Sequence, residues 1–167
     1  MTPFAAPIRR RRDGSYAVRL DPTVRAVLRS ASQQMVPLLA SDDVATRRLF
    51  PPAYVGGERA AEEREYRKLV DNALQSHHRH ALAVLADTAT ADTLSSGEIN
   101  AWLSAVGSMR LVLGTRLDVS EDTTPPPTND PAAPEHALYD LLGALQEAII
   151  SVLASELPRE GEPGRAL

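Results

Sequence analysis

"SSGEINAWLSAVGSMRLVLGTR", residues 95–116, is the stretch that decides the architecture. Ser95 and Glu98 stand three residues apart. The serine hydroxyl can accept the Glu98 amide while the glutamate side chain reaches back to the Ser95 amide, a capping box that starts a helix. At about 100° per residue, Ile99, Trp102, Leu103, Val106, Met109, Leu113 and Leu117 cluster on one side of that helix. Leu111 and Val112 point elsewhere, toward Gly107 and Ser108, so the helix packs on more than one side. Gly114 lies just before its end, where it permits close packing.

Two arginines disturb this apolar pattern. Arg116 falls at the edge of the stripe in the last turn, where a cation complements the helix dipole. Asp118 then begins the way out. Arg110 sits near the middle of the stripe, and a guanidinium there needs a partner because an unpaired buried charge is very costly. Glu98, Asp118 or a carboxylate on another helix would form an ion pair that fixes helix register. The functional alternative is an arginine facing a cleft, where it binds an anion or a partner.

The flanking segments complete a bundle. Asp21 and Pro22 suit the N-cap and first position of a helix carrying Val24, Val27, Leu28, Ala31, Met35, Leu38 and Leu39 on one face. Pro37 should kink or interrupt it. "SDDVATRRL" predicts a short capped helix, and "FPPAYVGG" an ordered loop anchored by Phe50 and Tyr54. A long helix is predicted over about 59–86, with a stripe of Tyr66, Leu69, Val70, Ala73, Leu74, Ala81, Val84 and Leu85. The last helix, from about Pro134, gathers Leu138, Leu141, Leu142, Leu145, Ile149, Val152 and Leu153, with Tyr139, Ile150 and Leu157 widening the arc. A helix so broadly apolar is central in its bundle or part of an interface, such as that of a homodimer.

Near the N-terminus, "PIRRRRDGSYAVRL" predicts a β-hairpin turning at Asp13-Gly14, with Tyr16, Val18 and Leu20 on one face. A lone two-stranded hairpin is marginal in water, so it lies on helices or pairs with another chain. The predicted fold is mainly α: four main helices plus a short one, with an N-terminal β-hairpin. One domain spans 7–157, including a proline-rich acidic loop at 119–134, between flexible ends at 1–6 and 158–167.

The chain has 167 residues, 43% of them hydrophobic, enough for a real core, and only 4% aromatic, so Leu, Val, Ile and Ala must build it. No cysteine is present, which excludes a disulfide framework, a thiolate metal site and a cysteine nucleophile. Basic residues follow the short apolar run at the N-terminus, the reverse of a secretory signal. No apolar run is read as approaching the roughly 20 residues that span a bilayer, so a soluble, cytoplasmic protein is expected. Residues 1–80 hold 14 Lys/Arg against 9 Asp/Glu, whereas residues 81–167 hold 4 against 13. Such polarity favours two halves that neutralise each other on packing, ahead of a basic surface facing a partner.

"HHRH" at 77–80 raises the question of metal. His77 falls at the centre of the predicted apolar face, among Val70, Ala73, Ala81 and Val84, and is expected to be a satisfied core histidine, with His78 and His80 solvated. His77 and His80 have i, i+3 spacing, but zinc needs three or four ligands and His136 stands alone. No Glu-x-x-His pair for a di-iron bundle appears. Neither metal nor cofactor is expected. Arg9, Arg10, Arg11 and Arg12 could contact phosphates, yet strand alternation divides them between two faces and a pI of about 5.6 argues against a dedicated nucleic-acid binder. No phosphate loop, nucleophile elbow or zinc-protease motif is present, and no catalytic residue is assigned.

Five segments in order, "RRDGSYAVRL", "RRLFPPAY", "EYRKLV", "LVLGTRLDV" and "ALYDLLGALQEAII", resemble an actinobacterial family of unknown function over residues 11 to about 150. Its genes commonly lie beside that of ClpS, the adaptor that delivers substrates to the Clp protease, so the resemblance implies a role near regulated proteolysis. It implies no catalytic residues. "HHRH" and Pro37 set this chain apart within the resemblance. The expected function is a non-enzymatic interaction or regulatory protein whose partner surface combines the hairpin, "LFPPAY" and the acidic half. A nucleic-acid-binding regulator using Arg9–Arg12 is the alternative, and an enzyme with a pocket near His77 and Arg110 the third reading.

Overall fold

The chain runs β1 (Ile8–Arg10), β2 (Tyr16–Val18), α1 (Pro22–Leu39), a 3₁₀ helix (Val44–Leu49), α2 (Ala60–Thr88), β3 (Thr93–Leu94), α3 (Ser96–Arg116) and α4 (Ala133–Ala154). This computed structural model describes residues 6–41, 43–50 and 60–156. The expectations for Tyr54, Leu157, residues 1–5 and the tail 158–167 lie outside that range. The fold is mainly α, with a small antiparallel sheet at the N-terminal end.

α3 is the central helix. Both halves of the capping box form, with Glu98 N–H donating to Ser95 Oγ at 3.2 Å and Ser95 N–H donating to Glu98 Oε2 at 2.7 Å. The helix packs against α2, α4, the 3₁₀ helix and α1. Its buried face is Ile99, Trp102, Ala105, Val106, Ser108, Met109 and Val112, with Leu103 and Leu113 only partly buried. Neighbours on several sides therefore bury Val112 and Ser108 as well as Ile99, Trp102, Val106 and Met109 of the predicted stripe. Its end is a Schellman turn: Val119 N–H reaches the Gly114 carbonyl, Asp118 N–H reaches that of Thr115, and Asp118 takes φ 51°.

α1 opens as its cap predicts, with Thr23 N–H donating to Asp21 Oδ1 at 2.8 Å. It runs through Pro37 without interruption and ends two residues later. So near the C-terminus, proline disturbs little of the remaining helix. Its fully buried positions are Arg25, Leu28, Ser32, Met35 and Leu39. Two of these five are polar, so the apolar residues alone placed the face slightly to one side.

The hairpin turn is one residue longer than predicted. Arg11 N–H donates to the Ser15 carbonyl and Gly14 N–H to that of Arg11, so Arg12-Asp13-Gly14 form a three-residue loop with only Gly14 at positive φ, 84°. Asp13 accepts both Ser15 N–H and Ser15 Oγ, which stiffens the turn. The hairpin does not stand alone. β2 pairs with β1 on one side and with β3 on the other, Tyr16 facing Leu94. The strand after α2 thus stabilises the hairpin within one chain, a pairing that two residues of sequence could not announce.

Arg25 locks this corner. Its Nε donates to the Leu20 carbonyl at 3.0 Å, Nη1 to those of Ala89 (3.2 Å) and Ala91 (2.6 Å), and Nη2 to that of Val18 (3.0 Å) and to Asp92 Oδ1 (3.1 Å). One side chain joins the hairpin, the start of α1 and the end of α2. Tyr16 Oη donates to the Glu156 carboxylate, which also meets Arg10 Nε at 3.1 Å, tying the hairpin to the segment after α4. Together with Arg116–Asp43, these pairs join the basic half of the chain to the acidic half.

α4 lies at the edge, against α3 and β1. Leu142, Leu145 and Ile149 are buried, whereas Ile150 is exposed. One expectation is corrected here. With 22 residues and a mean hydropathy of 1.5 over its most apolar window, α4 is long and apolar enough to cross a membrane by length and composition alone. Its few charges, Glu135, Asp140 and Glu147, break the run as read along the chain but do not outweigh its leucines and isoleucines. In this fold the apolar face of α4 supplies core side chains to α3.

Candidate functional site

Close approach of α3 and α4 creates the site around Arg110. A Cβ added to Gly143 would lie 3.3 Å from Arg110 Nε, and one added to Gly114 would lie 2.9 Å from Tyr139 Cε2. The two glycines let the Arg110 guanidinium and the Tyr139 ring lie between the helices, with Arg110 Cζ 4.9 Å from the ring centroid. Arg110 Nη1 donates to Gln146 Oε1 at 3.3 Å. Its Nε is buried without an acceptor.

The expected ion pair is absent among the described residues. Neither Glu98 nor Asp118 meets Arg110: Glu98 serves the capping box, and Asp118 turns away in the Schellman motif. Arg110 points from the flank of α3 toward α4, where a neutral amide and an aromatic face receive it. Beside it opens a cleft of about 340 Å³, lined also by Arg48, Leu111, Thr115 and Val119.

Arg116 does have a carboxylate, Asp43 Oδ2 at 2.7 Å. Asp43 also caps the 3₁₀ helix by accepting Ala45 N–H at 2.8 Å, and both interactions hold its carboxyl below the usual aspartate value, the Arg116 bond foremost. Phe50 is half-buried against the core and meets the His78 ring edge-on at 5.8 Å, while the loop it was expected to anchor lies outside the described residues.

The histidine assignment is shifted by one residue. His77 is exposed and His78 is the half-buried one, reversing the predicted pair. The C-terminal half of α2 buries Ala81, Leu82, Leu85 and Ala89, and His78 continues that face by helical spacing. Ser108 Oγ donates to the Ser104 carbonyl at 2.9 Å and stands 2.9 Å from His78 Nδ1. Nε2 is left buried without a partner. No group of three or more potential metal ligands occurs among the described residues.

Burial, and then the neighbouring His77, push the His78 imidazole below the ordinary histidine value of 6.5, partly opposed by the Leu49 carbonyl. The unfolded chain therefore binds this proton more readily than the fold. The resulting contribution to stability is complete above about pH 6.5 and declines as pH falls below it. Urea midpoints measured between pH 7.5 and pH 5 should fall with acidity, and fall less in His78→Gln; an equally steep decline in that variant would exclude this source.

The four hairpin arginines are all exposed but differently engaged. Arg10 is engaged by Glu156, and Arg11 by Asp13 at 3.8 Å and Thr93 Oγ1 at 3.2 Å. Arg9 and Arg12 are exposed.

Residues 1–153, from before the hairpin almost to the end of α4, match the family described as Domain of unknown function (DUF2017). The chain belongs to the DUF2017 family. No curated protein matches it, and no solved structure does.

Two features of this DUF2017 chain escaped sequence reasoning. Arg25 follows Val24 in an ordinary amphipathic pattern, and three of its five acceptors, the Ala89 and Ala91 carbonyls and Asp92 Oδ1, lie more than 60 residues along the chain. The first half of α2 was read as a buried stripe, but Tyr66 is 54% exposed and Leu69 72%. Ala73 is exposed as well, and Val70 is half-buried.

Proposed function

We propose that this DUF2017 chain is a non-enzymatic interaction protein that receives a protein partner on the first half of α2. The supporting observation is the exposure of Tyr66 and Leu69, three residues apart on one helix, with Ala73 continuing their face. Scattered apolar residues on a surface are ordinary, but a run at helical spacing suits docking in a partner's groove or against a partner helix. The resemblance to a family encoded beside ClpS adds regulated proteolysis in the actinobacterial cytoplasm as the setting.

Crosslinked pull-downs from cells at native expression test this reading. The wild-type chain should recover a specific protein, and Leu69→Glu should lose it while melting at an unchanged temperature. Recovery of no specific protein, or equal recovery by Leu69→Glu, sinks the proposal. Capture of only a second copy of the chain would make the face a homodimer contact. The alternative, nucleic-acid binding, draws on Arg9 in β1 and Arg12 in the hairpin turn, both exposed. It requires DNA affinity that falls steeply with salt and is lost in Arg9→Ala/Arg12→Ala.

A further inference from the structure

We propose that the cleft between α3, α4 and the 3₁₀ helix is an anion site that takes the phosphate or carboxylate group of a small molecule. The site stands apart from the α2 docking face.

Charge is the first ground. Arg48 and Arg110 both line the cleft and none of its lining residues is acidic. The chain as a whole has 22 Asp and Glu against 18 Lys and Arg, yet among the described residues no carboxylate forms an ion pair with either cation. Arg116, one helical turn and a half further on, shows the contrast: it holds Asp43 at 2.7 Å.

Unused donor capacity is the second ground. A guanidinium carries five N–H donors. Arg110 makes one long bond to a neutral acceptor, Gln146 Oε1 at 3.3 Å, and rests its charge on the Tyr139 ring. Its Nε has no acceptor at all. A half-buried cation answered only by an amide and an aromatic face is short of both acceptors and negative charge, and an oxyanion supplies both.

Preorganisation is the third. Gly143 and Gly114 admit the guanidinium and the ring into the helix contact, so Arg110 is held rather than waving in solvent. An immobilised fork loses little further freedom on binding. Arg48 comes from a separate element, the 3₁₀ helix, whose neighbouring Leu49 is buried in the core. The opening of about 340 Å³ suits a small molecule. Leu111 and Val119 give its wall an apolar part that can receive the carbon body of such a ligand.

Isothermal titration at low ionic strength with inorganic phosphate and with citrate tests the site in the full chain. Wild type should bind at least one of the two saturably at one site. Arg48→Ala and Arg110→Lys should each weaken that binding at least tenfold, the second because lysine keeps the charge but not the fork, and Arg12→Ala should leave it unchanged. Preference for phosphate assigns a phosphorylated ligand, and preference for citrate a carboxylate. Arg48 is exposed, so Arg48→Ala decides the matter even if Arg110→Lys unfolds. Absence of saturable binding of either anion, binding unaffected by Arg48→Ala, or equal weakening by Arg12→Ala would overturn the proposal.

Discussion

Replacing Arg25 with methionine should lower stability by about 3–5 kcal/mol, the range for breaking a buried charged network. Methionine fills much of the volume of the arginine stem, so the loss reports chiefly on hydrogen bonds. The carbonyls of Val18 and Ala89 accept from Arg25 in buried surroundings and would be left without that donor. Each buried acceptor so abandoned costs about 1–3 kcal/mol. Asp92 contributes little to this sum because its side chain is 92% exposed, and surface ion pairs are weak. Arg25→Lys should recover only a minor part, since one ammonium cannot span acceptors on the hairpin, the start of α1 and the end of α2. Urea unfolding gives the stability change, and amide exchange should quicken first in β2 and β3. A loss below about 1 kcal/mol for Arg25→Met, the size expected of a single ordinary hydrogen bond, would remove Arg25 from its place as the lock of this corner.

Trp102→Ala should be comparably severe, about 3–5 kcal/mol, as for other large aromatic side chains emptied from a core. Trp102 is fully buried on the central helix, and its Nε1 donates to Thr88 Oγ1 at 2.8 Å. Thr88 in turn donates to the Val84 carbonyl at 2.6 Å, so the indole fixes the C-terminal turn of α2 against α3. Trp102→Phe separates the two contributions. It retains most of the bulk and loses the hydrogen bond, so a cost of about 1–2 kcal/mol is expected. Circular dichroism through a urea titration measures both variants. If Phe and Ala prove equally damaging, the hydrogen bond outweighs the cavity and the packing account of this contact fails.

The anion cleft and the helix face illustrate different degrees of legibility. Arg110 was conspicuous in the sequence because a cation interrupted an apolar stripe, but its surroundings were not. The expected carboxylate is replaced by Gln146 and Tyr139, both from α4. Nothing in the spacing along α3 specifies which residues of another helix come opposite. Arg48 carried no signal at all; it enters the cleft only because the 3₁₀ helix packs on α3. The α2 face was misread for a related reason. One apolar stripe was drawn along the whole helix, although its second half buries His78, Ala81, Leu82, Leu85 and Ala89 while Tyr66 and Leu69 in the first half face outward. Averaging the two halves put His77 at the centre instead of His78.

Local chemistry along the chain determined the helices and their ends: the Asp21 cap with Pro22, the Ser95–Glu98 capping box and the apolar periodicity of α3 and α4 each act within a few residues. The hairpin followed in the same way from Gly14, even though its loop proved one residue longer. Tertiary structure alone decided the pairing of β2 with β3, the acceptors of Arg25, the histidine that turns inward and the neutral company of Arg110. The division has a physical cause. Caps, turns and periodicity join residues about one to four positions apart, whose relative placement the backbone dictates. The remaining contacts join groups such as Arg25 and the Ala91 carbonyl, 66 positions apart, which meet only after the helices have packed.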